Sequence, residues 1–373
     1  GVDDHKKLKY KPILFLAFSK HLYRDVLLPI GKDQLLQKKD KIIIGQDKFN
    51  SFDLDQSSSF INPWAVWDKE TKINYIRLKK IFLKLKEQFD KSNFIKRSIP
   101  IEYNNKKKYF HFMFDDLFDL YIPNIIFHVV TAKKILKKFP PSILVSADVS
   151  DPRSRVYSML CRISNIPSFD VQFGLLGNES VEWQYLISDY VLVWGEKAKN
   201  YMLNLGVPIN KIIITGSPRH DFKYSQSKNL VDNKKKELKI SSNKSIFVLA
   251  STFNDKHHSR YVNPDILNSM KEAIFNSVLR CPDIVLIIKP HPFENINETK
   301  NYIKELPNKI IYVDPKSDVR ELIHLSDAFL SFGSTTAIDA LIADKVVISP
   351  IFPGWVFSEY INCLLYTSDA ADE

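Results

Sequence analysis

The residues with the clearest chemical potential lie in the stretch "DIVLIIKPHPFE", residues 283–294. Its apolar run, 284–288, predicts a buried strand that ends abruptly in Lys-Pro-His-Pro. The two prolines stop the strand and stiffen the loop, which fixes the direction of the His291 imidazole. A fixed imidazole can donate a hydrogen bond to a phosphate oxygen, and Lys289 would add positive charge. The alternative is an ordinary histidine satisfied beneath a loop.

A second motif, "SFGSTTAID" at 331–339, follows another predicted strand and opens a predicted helix. Gly333 allows a tight turn there. The hydroxyls of Ser334, Thr335 and Thr336, with the free backbone N–H groups at the helix start, would bind an anion that the helix dipole also favours. The alternative is a plain helix cap. Because both motifs follow strand ends, their combination favours a phosphate site.

A third motif, "GSPRHD" at 216–221, follows the predicted strand 211–215. Here the chain would pass from one predicted domain to the next. Gly216 and Arg219 are therefore candidates for contacts with a charged ligand. The alternative is a turn in which Arg219 pairs with Asp221.

The first half of the chain supplies acidic candidates. The predicted strand 142–147 ends in "ADVSDPRSR", which places Asp148 and Asp151 at its carboxyl end. A carboxylate there would remove a proton from an incoming hydroxyl, and we assign that role to Asp148. The alternative is that both residues are helix caps and turn formers, which an Asp-Pro pair favours.

The loop "VQFGLLGNESVEW", 171–183, supplies candidates for contacts with an acceptor substrate. It follows a predicted strand and contains glycine, as binding loops often do. Gln172, Glu179 and Glu182 are the polar side chains that we expect to serve on this acceptor side.

The elements that position these residues alternate between strand and helix, which predicts an α/β fold with parallel sheets. We expect two Rossmann-like, doubly wound domains of the GT-B type, with ligands at the carboxyl ends of the strands, in a cleft between the domains. The expected division is an N-terminal acceptor-side domain, 1–216, a linker or crossover, 217–243, and a C-terminal nucleotide-donor domain, 244–362.

Composition narrows the function classes. The chain has 373 residues, a net charge of +10 and three cysteines without metal or disulfide spacing, which favours a reducing cytoplasm. No apolar run is long enough to span a membrane, and no signal peptide opens the sequence. The lysines are scattered, so most belong to a solvated surface. No P-loop, dinucleotide fingerprint or nucleophile elbow is present, and no motif favours a nucleic-acid partner.

Taken together, His291-Pro292, the Ser334-Thr335-Thr336 motif and the segment 193–221 resemble GT-B glycosyltransferases of the bacterial surface-polysaccharide type. The nearest in style are the bacterial sialyltransferases and the CDP-glycerol glycerophosphotransferases. The resemblance spans about 142–350. It implies that the histidine and hydroxyl motifs contact the nucleotide phosphates, and that a residue matching Asp339 contacts the donor ribose.

Two departures from the family pattern stand out. Many relatives have Gln-His-Gly where this chain has Gln172-Phe173-Gly174, and many have glutamate where Asp339 stands. Either change would mean a different donor or reduced activity. In addition, "CLLYTSDAADE", 363–373, resembles a translated sequencing adapter, so we expect the natural chain to be truncated near Asn362.

The resemblance implies transfer of a sugar from a nucleotide-activated donor to a glycan or lipid-linked acceptor. His291, Ser334, Thr335 and Arg219 would stabilise charge on the leaving phosphate, with no cofactor and no essential metal. The basic helical stretch 67–90 suggests peripheral contact with the inner face of the cytoplasmic membrane. Three alternatives stay open: glycerol-phosphate transfer from CDP-glycerol, a UDP-N-acetylglucosamine 2-epimerase-like isomerase, and a nucleotide-binding relative without catalysis. The base, sugar, acceptor and stereochemistry stay undetermined.

Overall fold

The computed structural model describes residues 11–18, 22–45, 57–92, 107–174, 176, 181–220, 228–252, 264–291, 294, 309–332 and 334–350, with backbone alone at 107–108, 181–182, 228–230 and 264–265. The chain divides into two compact units. One comprises Gly1–Phe173 and Val181–Arg219, and the other comprises Gly174–Ser180 and His220–Glu373. Each unit contains one parallel sheet with interleaved helices, so the predicted α/β class is confirmed.

The first unit is built on a seven-stranded parallel sheet in the order β3-β2-β1-β4-β5-β6-β7. Its strands are β1 (Ile13–Leu16), β2 (Lys41–Ile44), β3 (Ser58–Ile61), β4 (Ile143–Ser146), β5 (Ser168–Val171), β6 (Tyr190–Val193) and β7 (Ile212–Ile214). The central strands are continuous apolar runs, as expected for a sheet that is buried on both faces. Strand β3 was not predicted, because "SSFI" is polar at its start and pairs with one neighbour only, at the sheet edge.

The described helices of the first unit are α1 (Leu28–Gly31), α2 (Lys69–Lys91), α3 (Lys107–Asp116), α4 (Ile122–Lys138), α5 (Pro152–Ile163) and α6 (Glu196–Asn204). A π-helical turn, Tyr23–Leu27, leads into α1. Tyr23, Val26 and Leu27 are spaced as one helical face, and all three are buried against the sheet. A second π-helical turn, Leu117–Tyr121, joins α3 to α4.

The second unit contains a five-stranded parallel sheet in the order β10-β9-β8-β11-β12. Its strands are β8 (Ser245–Ala250), β9 (Ile284–Lys289), β10 (Ile310–Tyr312), β11 (Ala328–Ser331) and β12 (Val346–Ile348). Its described helices are α7 (Lys228–Glu237), α8 (Pro264–Arg280), α9 (Val319–Leu325) and α10 (Thr336–Ile342). The strand order reverses between β8 and β11, and in such sheets ligands bind at the carboxyl ends of the strands beside this point.

The predicted linker 217–243 is more structured than the sequence indicated. Helix α7 lies within it, and Val231, Leu238 and Ile240 pack against one core cluster of the second unit. Val231 lies on α7, whereas Leu238 and Ile240 follow its end, so the sequence shows no repeating apolar face among the lysines and asparagines. The division between the units falls after Arg219, and the segment Gly174–Ser180 also belongs to the second unit.

The tail 363–373, which resembles a translated sequencing adapter, lies outside the described residues. Within the described part of the chain, no helix combines the length and the apolar character that crossing a membrane requires.

Candidate functional site

The two main sequence motifs come to the same edge of the second sheet. Strand β8 pairs with β9 on one side and with β11 on the other, and Lys289, Ala250 and Ser331 stand in register across the three strands. His291 follows this row on β9, and Ser334 follows it on β11. Neighbouring strands are about 4.8 Å apart, so the two motifs leave the sheet roughly 10 Å from each other.

His291 lies in a turn that a buried acid closes. The backbone N–H of Glu294 donates to the His291 carbonyl at 2.9 Å, and the His291 N–H donates to Glu294 Oε2 at 3.1 Å. Glu294 was not among the predicted site residues. An acid three residues after a turn residue can accept from that residue's N–H, as the glutamate of a helix capping box does.

Lys289 points to backbone carbonyls. Its Nζ donates to the Pro290 carbonyl at 2.9 Å and to the Pro315 carbonyl at 2.8 Å. Burial lowers the pKa of Lys289, and nearby carboxylates, including Glu294, oppose that effect. The ammonium group therefore braces the end of β9. Its predicted contact with a donor phosphate stays a prediction, and this geometry counts against it.

The hydroxyl motif after β11 is partly engaged within itself. The Ser334 N–H donates to Ser331 Oγ at 2.9 Å, and Thr336 Oγ1 donates to Ser334 Oγ at 2.9 Å. Within the described residues, the Thr335 hydroxyl has no hydrogen bond, and a Cβ placed on Gly174 would lie 3.6 Å from its Oγ1. Thr335 is thus the hydroxyl best placed to accept a new partner. Gly333 lies outside the described residues.

Asp339, on α10, is fully buried, and its Oδ1 lies 3.1 Å from Nε2 of His220. The acid stands one turn into the helix that carries Thr336. A donor ribose can reach this carboxylate only if His220 moves, so the predicted ribose contact of Asp339 stays a prediction. His220 was not predicted as a functional residue, although it lies in the Gly-Ser-Pro-Arg-His-Asp motif.

Gly216 has a φ of 78°, in the left-handed region that favours glycine. This explains why glycine follows β7, where the chain turns into the 3₁₀ turn Pro218–His220. Arg219 is half-buried at the end of the first unit. The predicted ligand contacts of Gly216 and Arg219 are not tested by this geometry, and Asp221 lies outside the described residues.

The two predicted acids of the first unit stabilise their own loop. Asp148 Oδ1 accepts hydrogen bonds from the Ser150 hydroxyl at 2.7 Å and from the Asp151 N–H at 3.1 Å. Asp151 caps α5 by accepting from the Arg153 N–H at 2.8 Å. These are the turn and cap contacts that the sequence left open as an alternative. The role of Asp148 as a base stays a prediction.

A third acid, Asp170 on β5, has the more unusual environment. It is buried next to Ser146 in the register of the sheet, and its Oδ2 accepts from the Ser188 hydroxyl at 2.5 Å. Burial raises the pKa of Asp170 to about 6, and the negative charge of Asp148 contributes. Within the described residues Oδ1 has no hydrogen-bond partner. The strand pattern did not reveal this acid, because it occupies an inward-facing position of β5.

Gln172 is nearly fully buried. Its Oε1 accepts from the Trp194 N–H at 2.9 Å, and its carbonyl accepts from the Trp194 indole at 3.0 Å. This burial counts against its predicted contact with an acceptor. Phe173, which stands where many of the resembled glycosyltransferases have histidine, packs against a core cluster of the first unit. The side chain of Glu182 lies outside the described part of the structure, as does Glu179.

No group of three or more His, Cys, Asp or Glu side chains that could hold a metal occurs among the residues that the structure describes. The expected independence from metals and cofactors stays a prediction.

A family model described as CDP-glycerol:poly(glycerophosphate) glycerophosphotransferase matches residues 176–350, nearly half of the chain. The match includes the Lys-Pro-His-Pro stretch and the Ser-Thr-Thr motif. Comparison with curated protein sequences gives no match.

Several solved structures share the fold. The UDP-GlcNAc 2-epimerase of Methanocaldococcus jannaschii is 16% identical with a TM-score of 0.55, and the alignment covers 91% of this chain and 83% of that one. The epimerase of Neisseria meningitidis bound to UDP-GlcNAc is 13% identical, with a TM-score of 0.52 and coverage of 90% and 81%. A glycosyltransferase of Rickettsia africae is 15% identical, with a TM-score of 0.52 and coverage of 91% and 79%.

These identities are low, so the structural matches establish the fold alone. The chain therefore has the fold of GT-B enzymes, and its segment 176–350 is similar to the glycerophosphotransferase family.

Proposed function

We propose that this protein is a transferase that moves a sugar from a nucleotide-activated donor to a surface-polysaccharide or lipid-linked acceptor. The observation that carries the proposal is the placement of both strand-end motifs in one sheet of the second unit, within the segment 176–350 that the family model matches. Those motifs leave neighbouring parts of one sheet edge, beside the point where the strand order reverses. The UDP-GlcNAc held by the Neisseria meningitidis relative supports a nucleotide-sugar as the donor.

In this proposal the second unit stabilises the leaving phosphate. His291 donates a hydrogen bond from its half-buried ring, and the Thr335 hydroxyl supplies a second donor. Fixed donors of this kind stabilise charge that develops as the bond to the leaving group breaks. Ser334 and Thr336, which already bond to each other, hold the loop that presents Thr335.

The acceptor hydroxyl must lose a proton during transfer. We assign this step to a carboxylate of the first unit, with Asp148 as the predicted base. Asp148 Oδ1 is engaged in its own turn, and within the described residues Oδ2 makes no hydrogen bond.

A second candidate function is the transfer of glycerol phosphate, which the description of the matched family favours. The two reactions break different bonds. In sugar transfer from a diphosphate donor, the acceptor oxygen bonds to the sugar carbon and a nucleoside diphosphate leaves. In glycerol-phosphate transfer, the acceptor oxygen bonds to the distal phosphorus, the P–O–P linkage breaks and CMP leaves.

The nucleotide product therefore tests the proposal. The protein is incubated with a membrane or polysaccharide acceptor fraction and, separately, with UDP-, GDP- and CMP-linked sugars and CDP-glycerol. Release of a nucleotide from an activated sugar, dependent on acceptor, supports sugar transfer, whereas CMP from CDP-glycerol supports the second candidate. If the protein binds nucleotide but acceptor-dependent nucleotide release occurs from none of the donors, both candidate functions are contradicted.

We also propose that the first unit contacts the membrane surface where such acceptors are assembled. Helix α2 carries eight basic and three acidic residues. Ile73 and Ile76 on α2, and Phe112 and Met113 on α3, are each at least half exposed. Basic charge beside exposed apolar side chains is the composition of surfaces that bind anionic lipid.

Vesicle flotation tests this contact. We expect binding to vesicles of phosphatidylcholine with phosphatidylglycerol, and weaker binding to phosphatidylcholine alone. Ile76→Asn combined with Phe112→Asn should weaken binding. The control is Ile163→Asn, because Ile163 is more exposed, at 73%, but lies on α5. Equal flotation of both variants would contradict the assignment.

A further inference from the structure

Glu294 stands out in the second unit as a buried carboxylate next to the predicted phosphate contact. Its side chain is only 4% exposed. Oε1 accepts from Lys271 Nζ at 2.6 Å and from the Ser251 hydroxyl at 3.1 Å, whereas Oε2 accepts from the His291 N–H at 3.1 Å. Both oxygens are therefore occupied, and each has a distinct task.

These contacts join three separate elements of the unit. Lys271 belongs to α8, Ser251 follows β8, and His291 follows β9. The Ser251 N–H also donates to the Lys289 carbonyl at 2.9 Å, so the ends of β8 and β9 are held together beside the acid. The turn that carries His291 is thus fixed by a carboxylate.

Lys271 also governs the charge at this position. A buried carboxylate close to an incoming phosphate would repel it, but the ammonium group of Lys271 at 2.6 Å offsets that charge. Buried ion pairs contribute little to stability compared with apolar side chains of equal volume. A pair placed on the one turn that presents the histidine is better explained by positioning than by stability.

We propose that Glu294, supported by Lys271 and Ser251, is the positioning residue for His291, and that it sets the imidazole toward the donor phosphate. This inference rests on the proposed function for the identity of the ligand. The fixation of the His291 turn does not depend on that function, so the two can be tested apart.

The test uses Glu294→Gln and the double variant Lys271→Met/Glu294→Gln in the full chain. A glutamine has one acceptor oxygen and one donor NH₂ group, so it cannot accept from His291 and from Lys271 together. With Lys271 replaced by methionine, the amide oxygen is free to accept from the His291 N–H and the NH₂ group to donate to Ser251. The His291 turn should therefore be disturbed in Glu294→Gln and restored in the double variant.

Two readouts follow the His291 ring and the ligand. Ring signals of ¹³C-labelled histidine, assigned through His291→Ala, should shift in Glu294→Gln and return in the double variant. Affinity for whichever of CMP, CDP, UDP and GDP binds the unaltered protein should fall about 10-fold in Glu294→Gln and return in the double variant. A loss of this size is typical when a residue that orients a ligand-binding side chain is replaced. Ser251→Ala removes one hydrogen bond to Glu294 and should shift the same signals less. This variant takes the place of Glu294→Gln if Glu294→Gln does not fold.

The outcomes separate the two claims. If the His291 signals stay in place while the melting temperature falls, Glu294 is merely structural and the inference is overturned. If the signals shift and recover but no nucleotide binds the unaltered protein, the positioning of His291 stands and the proposed function fails. If nucleotide binds equally well to every variant, the inference fails and the proposed function stands.

Discussion

The strand ends of the two units use carboxylates in opposite ways. In the first unit, Asp148 and Asp151 turn back on their own loop and stabilise backbone N–H groups. In the second unit, Glu294 and Asp339 are each buried beside a histidine, one through the backbone of His291 and one at the ring of His220. An acid at a strand end is therefore weak evidence for chemistry. The stronger evidence is a buried acid that fixes another functional group.

The largest effect is expected at His291. We expect His291→Ala to slow product formation about 100-fold or more, because it removes a fixed donor to the leaving phosphate. The folded state should be little affected, since the ring is only half-buried. The control is His324→Ala, a histidine of the same unit on α9, which precedes β11 and so lies toward the opposite end of the sheet. Equal losses in the rate of product formation in both variants would contradict a specific role for His291.

The pair of His220 and Asp339 should be the main stability determinant among these contacts. His220→Ala takes away the ring that lies 3.1 Å from a fully buried carboxylate. We expect the free energy of unfolding in urea to fall by about 3 kcal/mol. Adding Asp339→Asn should recover part of the loss, because the buried charge is then removed. A loss no larger than that of His324→Ala would show that the pair is not coupled.

The first unit offers a pH-dependent test at Asp170. Burial raises the pKa of this acid from 3.8 to about 6 in the folded state. The folded state therefore holds the proton more tightly, and the free energy of unfolding should decrease as the pH rises from about 4 to above 6, by roughly 2 kcal/mol. Asp170→Asn cannot lose a proton, so it should be more stable than the unaltered protein at pH 8 and equal to it near pH 4.

Urea unfolding at the two pH values measures this difference. The control is Asp33→Asn, which replaces an exposed turn acid of the same unit and should change stability equally at both. An Asp170→Asn protein without any gain at pH 8 would mean that the buried carboxylate is stabilised as an anion.

The smallest effect on ligand binding is expected at Lys289. Lys289→Met removes two hydrogen bonds to backbone carbonyls, so the free energy of unfolding should fall by about 1–2 kcal/mol. Nucleotide affinity, measured by calorimetry, should change less than about threefold, because the ammonium group is directed into the strand end. A loss of nucleotide affinity of tenfold or more would show that Lys289 contacts the phosphate, as the sequence predicts.

Much of the fold was predictable from the sequence, because parallel strands are continuous apolar runs. "ILVS" and "IVLIIK" form strands where the pattern predicted them. The misses have physical causes. Strand β3 is half polar at an edge, and α7 shows no repeating apolar face among its lysines.

For the candidate site, the sequence predicted only where the motifs lie in the fold. The sequence placed Lys-Pro-His-Pro and Ser-Thr-Thr at strand ends, and the sheet order sets those ends two strands apart. It did not predict that Glu294 closes the His291 turn, or that Asp339 faces His220. The Asp339 contact joins residues far apart in the chain, and only the packing of the fold brings them together. The Glu294 contact is local, but the residue type gives no sign that the acid is buried and paired with Lys271 on α8.

The central claim, that the second unit binds the donor nucleotide at the ends of β9 and β11, is tested most directly by calorimetric titration. CMP, CDP, UDP and GDP are titrated into the unaltered protein, His291→Ala and Thr335→Val. We predict that one nucleotide binds, and that each variant weakens its binding about tenfold or more at an unchanged melting temperature. Equal affinity in all three proteins would contradict the claim and would place the nucleotide elsewhere.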